Sequence, residues 1–119
     1  MNKPLILVVE DDRLLNNTLC YNLSAAGYEV DAALTKSVAE RFCRKQEYDL
    51  IVLDINLPDG NGFDICHEIR KISQAIVMFL TSCDDEESIT KGLDIGGDDY
   101  ITKPFRVAEL ISRIHANLR

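Results

Sequence analysis

Polar residues that could bind a metal ion or a phosphoryl group stand at or just beyond the ends of short apolar runs. They are Glu10, Asp11, Asp54, Thr81 and Lys103. Taken singly, each has a structural explanation, because carboxylates and hydroxyls often cap helices or start turns and most lysines are solvated. Their shared position relative to the apolar runs points instead to one common site.

The carboxylates of Glu10, Asp11 and Asp54 would repel one another if they lay together. Two like charges about 4 Å apart repel by about 1 kcal/mol in water and about 4 kcal/mol near a protein surface. Raised pKa values or a bound cation would relieve this repulsion. An all-oxygen ligand set suits Mg²⁺, so we predict a magnesium site.

Asp54 beside such an ion has a second predicted role. A carboxylate can attack a phosphoryl group and form an aspartyl phosphate. Phosphoryl transfer depends mainly on neutralising the charge of the phosphoryl oxygens. The ammonium group of Lys103 and the hydroxyl group of Thr81 are suited to that purpose.

The elements that must position these residues follow from the hydrophobic pattern. Continuous apolar runs at Leu5–Val9, Leu50–Leu53 and Ile76–Leu80, with a weaker one at Tyr100–Ile101, alternate with helical periods. The half-polar run Tyr28–Ala33 indicates an edge strand. The resulting βαβαβαβαβα order predicts a doubly wound, five-stranded parallel sheet covered by helices. Sites in such sheets lie beyond the carboxyl ends of the strands.

Local signals mark the starts of some elements. Asp12 is a candidate N-cap for the first helix, and Ser37 with Glu40 forms a capping-box pattern for the second. The fourth helix is marked by Ile89 and Leu93. The Asp-Gly and Asn-Gly pairs after Asp54 are typical of a β-hairpin, but a helical period follows, so we interpret this segment as a strand-to-helix loop.

Composition excludes several classes of function. The 119 residues carry a formal net charge of −7, which argues against nucleic-acid binding by this segment. No apolar stretch exceeds six residues, far short of a membrane span, and the first run starts too early for a signal peptide. None of the four cysteines forms a CxxC pair, so we expect apolar thiols in a reducing cytoplasm and no zinc site.

The motifs ILVVEDD, IVLDINLPDGNG and DDYITKPF, in this order and spacing, resemble the receiver domain of two-component response regulators. The resemblance covers nearly the whole chain. It implies a flavodoxin-like (βα)5 fold with strand order 2-1-3-4-5. It also implies a protein that accepts phosphate from a sensor histidine kinase and is not an enzyme, apart from catalysing its own phosphorylation and dephosphorylation.

The resemblance also assigns roles around the predicted metal. Asp54 would be the phosphoacceptor and Asp11 a direct Mg²⁺ ligand. Glu10 would act largely through metal-bound water. The backbone carbonyl of Asn56 would complete the ligands from the protein.

A second set of roles concerns the response to phosphorylation. Thr81 would be the switch hydroxyl and Tyr100 the switch aromatic residue. Lys103 would pair with the phosphoryl group. The bond between Lys103 and Pro104 would be a cis peptide.

GGDDYITKPF followed by ELISR resembles the winged-helix (OmpR/PhoB-like) transcription-factor branch of response regulators. This implies that residues 1–119 are a receiver domain whose DNA-binding domain lies outside them. Activated receivers of the branch form homodimers through the fourth helix, fifth strand and fifth helix. Asp99 and Arg113 match one charged pair that crosses this interface. Glu109 matches half of another pair, but Ile89 stands where its usual basic partner would be.

Three other functions account for parts of the same sequence pattern. A stand-alone, single-domain phosphorelay receiver without DNA-binding output remains an alternative. A phosphatase of the haloacid-dehalogenase type would need a second Asp where the chain has Asn56. A flavodoxin-like module without phosphate chemistry would leave the acids and Lys103 unexplained.

Overall fold

The computed structural model of the protein describes residues 3–82, 90–91 and 94–119. The strands in these ranges are β1 Leu5–Val9, β2 Glu29–Ala33, β3 Leu50–Asp54, β4 Asn56–Leu57, β5 Gly60–Asn61, β6 Ile76–Thr81 and β7 Asp99–Thr102. The helices bounded there are α1 Arg13–Ala25, α2 Lys36–Lys45, α3 Gly62–Ile69 and α4 Val107–Leu118. Helix α4 corresponds to the fifth predicted helix. Ile89 and Leu93, which mark the fourth predicted helix, lie outside the described residues.

Five strands form one parallel sheet in the order β2-β1-β3-β6-β7. The short strands β4 and β5 belong to a separate hairpin, so this order confirms the predicted 2-1-3-4-5. Strand β2 is an edge strand and pairs with β1, as its half-polar pattern predicted. The parallel arrangement brings the carboxyl ends of β1, β3, β6 and β7 to one edge.

The unbroken apolar runs supply two cores, one on each face of the sheet. Alternate residues of each strand point to opposite faces. Val9 and Leu53 join the core under α2 and α3, whereas Val8 and Val52 join the core under α1 and α4. Burying one such side chain contributes about 1.5–3 kcal/mol. The two cores therefore fix the strand ends that carry the polar residues.

A small hairpin interrupts the connection from β3 to α3. Strands β4 and β5 pair antiparallel around the turn at Pro58 and Asp59. The interpretation of this segment as a plain strand-to-helix loop was therefore wrong. The hairpin signal and the helix signal are both correct, one after the other along the chain. The Asp-Gly pair lies at the hairpin turn, and α3 then begins at Gly62 with Asn61 as its N-cap.

The helix starts follow the predicted caps in one case and depart from them in another. Asp12 caps α1 by accepting a hydrogen bond from the Leu15 amide at 3.1 Å, as predicted. The capping box at Ser37 was wrong, because Thr35 caps α2 and accepts from the Val38 amide at 3.2 Å. Thr35 has the extended backbone that an N-cap requires, and Ser37 already lies inside the helix.

Two further expectations concern cysteines and membrane spans. Cys43 and Cys66 are buried and Cys20 is half-buried, all as free thiols, while Cys83 lies outside the described residues. Within the described ranges, no helix combines the length and apolar character needed to cross a bilayer.

Candidate functional site

The carboxyl edge of the sheet brings Glu10, Asp54 and Lys103 into direct contact. Glu10 follows β1, Asp54 ends β3, and Lys103 follows β7. The Lys103 Nζ atom lies 2.7 Å from Glu10 Oε1 and 3.0 Å from Asp54 Oδ2. The side chains of both acids are almost completely buried, at 1% and 4% exposed. The ammonium group therefore neutralises charge at two buried carboxylates.

Lys103 stays protonated in this position. Burial by itself would lower the pKa of its ammonium group, but hydrogen bonds and charge attraction from Glu10 and Asp54 outweigh burial and raise the pKa. This direction is expected for a cation between two carboxylates. Lys103 can therefore act as a fixed positive charge at neutral pH.

Asp11 adds a third carboxylate to this edge. Oxygen atoms of Glu10, Asp11 and Asp54 lie within 4.8 Å of one another. The pKa of Asp11 is raised, first by a hydrogen bond with Glu10, then by burial, with repulsion from Glu10 adding to the effect. Three acids against one ammonium group leave excess negative charge. The donor set therefore fits a divalent cation with a preference for oxygen ligands.

The buried acids are already held by other hydrogen bonds. Glu10 Oε2 accepts from the Asp12 amide at 3.1 Å, while Oε1 accepts from Lys103. Asp54 Oδ1 accepts from the Asn56 amide at 2.9 Å. The Asn56 backbone therefore lies directly beside the site, next to the carboxylate with which it is predicted to share a metal.

Asn16 is a buried polar residue that sequence reasoning missed. Its side-chain amide donates to the backbone carbonyls of Glu10 at 3.0 Å and Ala33 at 3.3 Å. The side chain thus ties α1 to the carboxyl ends of β1 and β2. A signal was present, because Asn16 precedes Leu19 and Leu23 by three and seven residues, on the apolar face of α1.

Gly62 allows the hairpin to fold tightly against the backbone of Asp54. Its amide donates to the Ile55 carbonyl at 2.7 Å. A Cβ atom at this position would lie 2.5 Å from the Asp54 carbonyl oxygen and 2.7 Å from Ile55 Cα. Because a side chain has no space there, glycine is required by close approach. Sequence reasoning read Gly62 only as a turn residue.

The predicted switch residues lie on β6, which pairs with β3, and on β7, which pairs with β6 at the edge of the sheet. Thr81 is fully buried at the end of β6, and its carbonyl accepts a hydrogen bond from the Lys103 amide at 2.7 Å. Tyr100, on β7, is half-buried and its ring centroid lies 6.2 Å from that of Phe79. The Lys103–Pro104 peptide bond is cis. Thr81 and Lys103 therefore lie at the carboxyl edge of the sheet, where Asp54 ends β3.

The residues predicted to contact a second copy interact within one chain. Arg113 Nη1 lies 3.0 Å from Asp99 Oδ1, and Arg113 Nε lies 3.5 Å from Glu109 Oε1. The Asn117 side-chain amide also donates to Asp99 at 3.1 Å. Ile89 lies outside the described residues. A dimer that used the Asp99 and Arg113 charges would have to rearrange these intramolecular pairs.

Comparisons with known proteins agree on one family. The family model described as the response regulator receiver domain matches residues 6–115. A two-component response regulator from Clostridium difficile is 32% identical over 98% of this chain and 97% of its own, with a TM-score of 0.95. The non-phosphorylated HemR receiver domain from Leptospira biflexa is 39% identical over 98% and 94%, with a TM-score of 0.93. The receiver domain of Francisella response regulator 1452 is 30% identical over 98% and 97%, with a TM-score of 0.92. The chain belongs to the response regulator receiver domains, a family of phosphoacceptors.

Proposed function

We propose that Asp54 accepts a phosphoryl group from the phosphohistidine of a sensor histidine kinase. One observation carries this proposal: the Asp54 carboxylate lies 3.0 Å from the Lys103 ammonium and beside two further acids. In the reaction, an Asp54 oxygen forms a bond to phosphorus as the phosphorus–nitrogen bond breaks. The electron pair of that bond leaves with the imidazole nitrogen, which takes up a proton.

The residues around Asp54 are suited to this transfer. Lys103 would move from the carboxylates to a phosphoryl oxygen, where a charge-assisted contact contributes about 1.5–3 kcal/mol. Thr81 would offer its hydroxyl to another phosphoryl oxygen. Asp11, Asp54 and the Asn56 carbonyl would hold Mg²⁺, with Glu10 acting through water. When bound, the ion would neutralise charge on the phosphoryl oxygens.

We further propose that the phosphoryl group shifts a two-state equilibrium. Phosphorylation adds a charge of about −1.5 to −2 at neutral pH. Thr81 would be drawn toward this charge, and Tyr100 would rotate inward. The surface formed by the predicted fourth helix, β7 and α4 would then change. Such a change is a population shift between existing states.

The output of this switch is inferred from the motif that resembles the winged-helix branch. In that proposal, residues 1–119 are the receiver domain, the activated form is a homodimer, and DNA is contacted through a separate C-terminal domain that controls transcription. The alternative is a stand-alone phosphorelay receiver, which would pass its phosphoryl group to another protein. Sequencing the gene beyond Arg119 discriminates between them, since a basic DNA-binding domain would follow only in the first case.

Intact-protein mass spectrometry tests the phosphoacceptor. The wild-type protein, Asp54→Asn and the control Asp64→Asn are incubated with acetyl phosphate, each with Mg²⁺ and with a chelator. Asp64 is an exposed acid in the first turn of α3 and lies outside the carboxylate cluster. We expect one added phosphoryl group on the wild-type and control proteins, only with Mg²⁺. Undiminished labelling of Asp54→Asn would exclude Asp54 as the acceptor.

A further inference from the structure

Asp59 links the hairpin that follows Asp54 to the start of α2. Its Oδ1 atom accepts from the Lys36 amide at 2.7 Å, and its Oδ2 atom accepts from the Ser37 amide at 3.1 Å. These are among the first amides of α2, which have no partner within the helix. The same hydrogen bonds lower the pKa of Asp59, with that to Lys36 the largest cause. Asp59 is therefore a charged anchor at the tip of the hairpin.

The hairpin carries a backbone that is expected to touch the metal. Asn56 opens the hairpin, pairs with Asn61 and donates its amide to Asp54 Oδ1. At the base of the hairpin, Gly62 packs against the Asp54 backbone. At the tip, Asp59 binds α2. The position of the Asn56 backbone is therefore fixed from both ends of the hairpin.

Capping alone does not account for the contact of Asp59 with α2. Helix α2 already has its own N-cap in Thr35, which accepts from the Val38 amide. Asp59 comes from a segment 22 and 23 residues away from the two amides it binds. The side chain of Lys36 also covers Gly60, because its Cδ atom lies 2.5 Å from where a Cβ would stand. The Asp59 carboxylate and the Lys36 side chain therefore both hold the hairpin against α2.

We propose that Asp59 is a positioning residue for the magnesium site. By binding the start of α2, it holds the hairpin so that the Asn56 carbonyl stands ready as a metal ligand. Asp59 does not belong to the carboxylate cluster found among the described residues, so it acts through the backbone and not as a ligand. The inference rests on the proposed function, since it requires Mg²⁺ to bind beside Asp54.

The experiment compares Asp59→Ala with Thr35→Ala. Each variant removes side-chain hydrogen bonds to the first turn of α2, but only Asp59→Ala releases the hairpin. The dissociation constant of Mg²⁺ is measured by NMR or calorimetry, and stability by urea unfolding. We expect both variants to be less stable and only Asp59→Ala to bind Mg²⁺ more weakly, by about 10-fold, as when a residue behind a metal ligand is lost.

Two further measurements separate positioning from general destabilisation. Asp59→Asn keeps one acceptor oxygen and should lose less Mg²⁺ affinity than Asp59→Ala. If the alanine variant does not fold, the affinity of Asp59→Asn is compared with that of wild type instead. At saturating Mg²⁺, the rate of phosphorylation by acetyl phosphate should return to the wild-type value in Asp59→Asn. The defect would then lie in apparent Mg²⁺ affinity and not in the maximal rate.

The outcomes distinguish this inference from the function on which it rests. Unchanged Mg²⁺ affinity in Asp59→Ala, or an equal loss in Thr35→Ala, would overturn the positioning role while wild-type binding remains intact. A wild-type protein that binds no Mg²⁺ would instead contradict the metal site itself, and the positioning role with it.

Discussion

Lys103 and Glu10 stand 93 positions apart in the chain, yet the Lys103 ammonium lies 2.7 Å from a buried carboxylate oxygen of Glu10. The same ammonium contacts Asp54 at 3.0 Å. Neither acid can be left charged in a buried position without cost, so Lys103 compensates both in the metal-free protein. The lysine therefore supports the fold as well as the proposed chemistry.

Replacing Lys103 by methionine should destabilise the metal-free protein. Glu10 and Asp54 would lose their shared cation, and leaving such groups without a partner costs about 1–3 kcal/mol or more. Mg²⁺ should restore part of the loss, because a ligand that binds the folded state stabilises it. Urea unfolding with and without Mg²⁺ measures both effects.

The matched control for this variant is Lys71→Met. Lys71 is exposed and pairs with exposed Glu68 at 3.2 Å, a contact that contributes about 0–1 kcal/mol. Equal, small losses in both variants would show that the carboxylates of Glu10 and Asp54 do not depend on Lys103.

Asp11→Ala should weaken Mg²⁺ binding more than Glu10→Ala. Both carboxylate oxygens of Glu10 already accept hydrogen bonds, from Lys103 and from the Asp12 amide. Glu10 is also completely buried, whereas Asp11 is exposed, so that its carboxylate is accessible to an ion. Loss of a residue that contacts a metal only indirectly weakens metal binding by about 10- to 100-fold. Asp11→Ala removes a direct ligand, so its loss of Mg²⁺ affinity should be larger than that of Glu10→Ala.

Calorimetry or NMR is the appropriate measurement, since the chain contains no tryptophan to report on metal binding. Asp12→Ala is a useful reference, because it removes the α1 cap next to the site. Equal affinities for Asp11→Ala and Glu10→Ala would refute the proposed division between direct and water-mediated contact.

Asp11→Asn should make the metal-free protein more stable at neutral pH. The hydrogen bond with Glu10 and burial raise the pKa of Asp11 above its ordinary value of 3.8. A raised pKa in the folded state contributes stability below that ordinary value, which is lost as the pH rises through the folded pKa. At neutral pH the charged Asp11 therefore opposes folding, and an amide would not.

The measurement is urea unfolding from pH 3 to 7 in a chelator, on the wild-type protein and Asp11→Asn. The two stabilities should converge toward acid pH and separate, with the variant higher, above the folded pKa of Asp11. In Mg²⁺ the order should reverse, because the variant has lost a metal ligand. A variant less stable than wild type in the chelator at neutral pH would contradict the cause given for the raised pKa.

The fold could be predicted because its signals are local and repeated. Unbroken apolar runs indicated strands buried on both faces, and parallel strands place their carboxyl ends at one edge. That rule alone was enough to predict from the sequence that Glu10, Asp54 and Lys103 lie together. Asp12 was also recognisable as an N-cap, since its signal lies within one turn of the helix it starts.

The features that were missed depend on contacts distant in sequence or on fine geometry. Asp59 binds amides 22 and 23 residues earlier, which no local pattern encodes. Thr35, and not Ser37, is the N-cap because α2 begins two residues earlier than the capping-box pattern predicts. Asn16 is polar on an apolar helix face, and the backbone carbonyls of Glu10 and Ala33, which accept from its side-chain amide, explain why.

Gly62→Ala should destabilise the protein and disturb the site, whereas Gly60→Ala should be tolerated. At Gly62 the added Cβ would meet backbone, 2.5 Å from the Asp54 carbonyl oxygen. At Gly60 it would meet, at the same distance, the flexible end of the Lys36 side chain. Overpacking against backbone costs about 1–3 kcal/mol, while a lysine side chain can move away.

Urea unfolding and Mg²⁺ titration of both glycine variants provide the comparison. Gly62→Ala should lose stability and Mg²⁺ affinity together, because the displaced backbone carries Asp54. Similar losses of stability and Mg²⁺ affinity in the two variants would show that both glycines are needed for the hairpin itself, and that the close contact of Gly62 with Asp54 has no separate effect.

Arg113→Glu should weaken the dimer of the activated protein with little effect on the folded monomer. In the proposed interface, Arg113 of one copy meets Asp99 of the other, although the two are paired at 3.0 Å within one chain here. Because Arg113 is exposed, the internal pair contributes only about 0–1 kcal/mol, so it can be exchanged for an intermolecular one. Asp99→Arg combined with Arg113→Asp keeps the opposite charges and should restore pairing.

Sedimentation of the beryllofluoride-activated proteins, with urea unfolding of each monomer, measures both effects. A dimer indifferent to Arg113→Glu, or a charge-reversed double variant that stays monomeric while wild type pairs, would refute an interface built on Asp99 and Arg113.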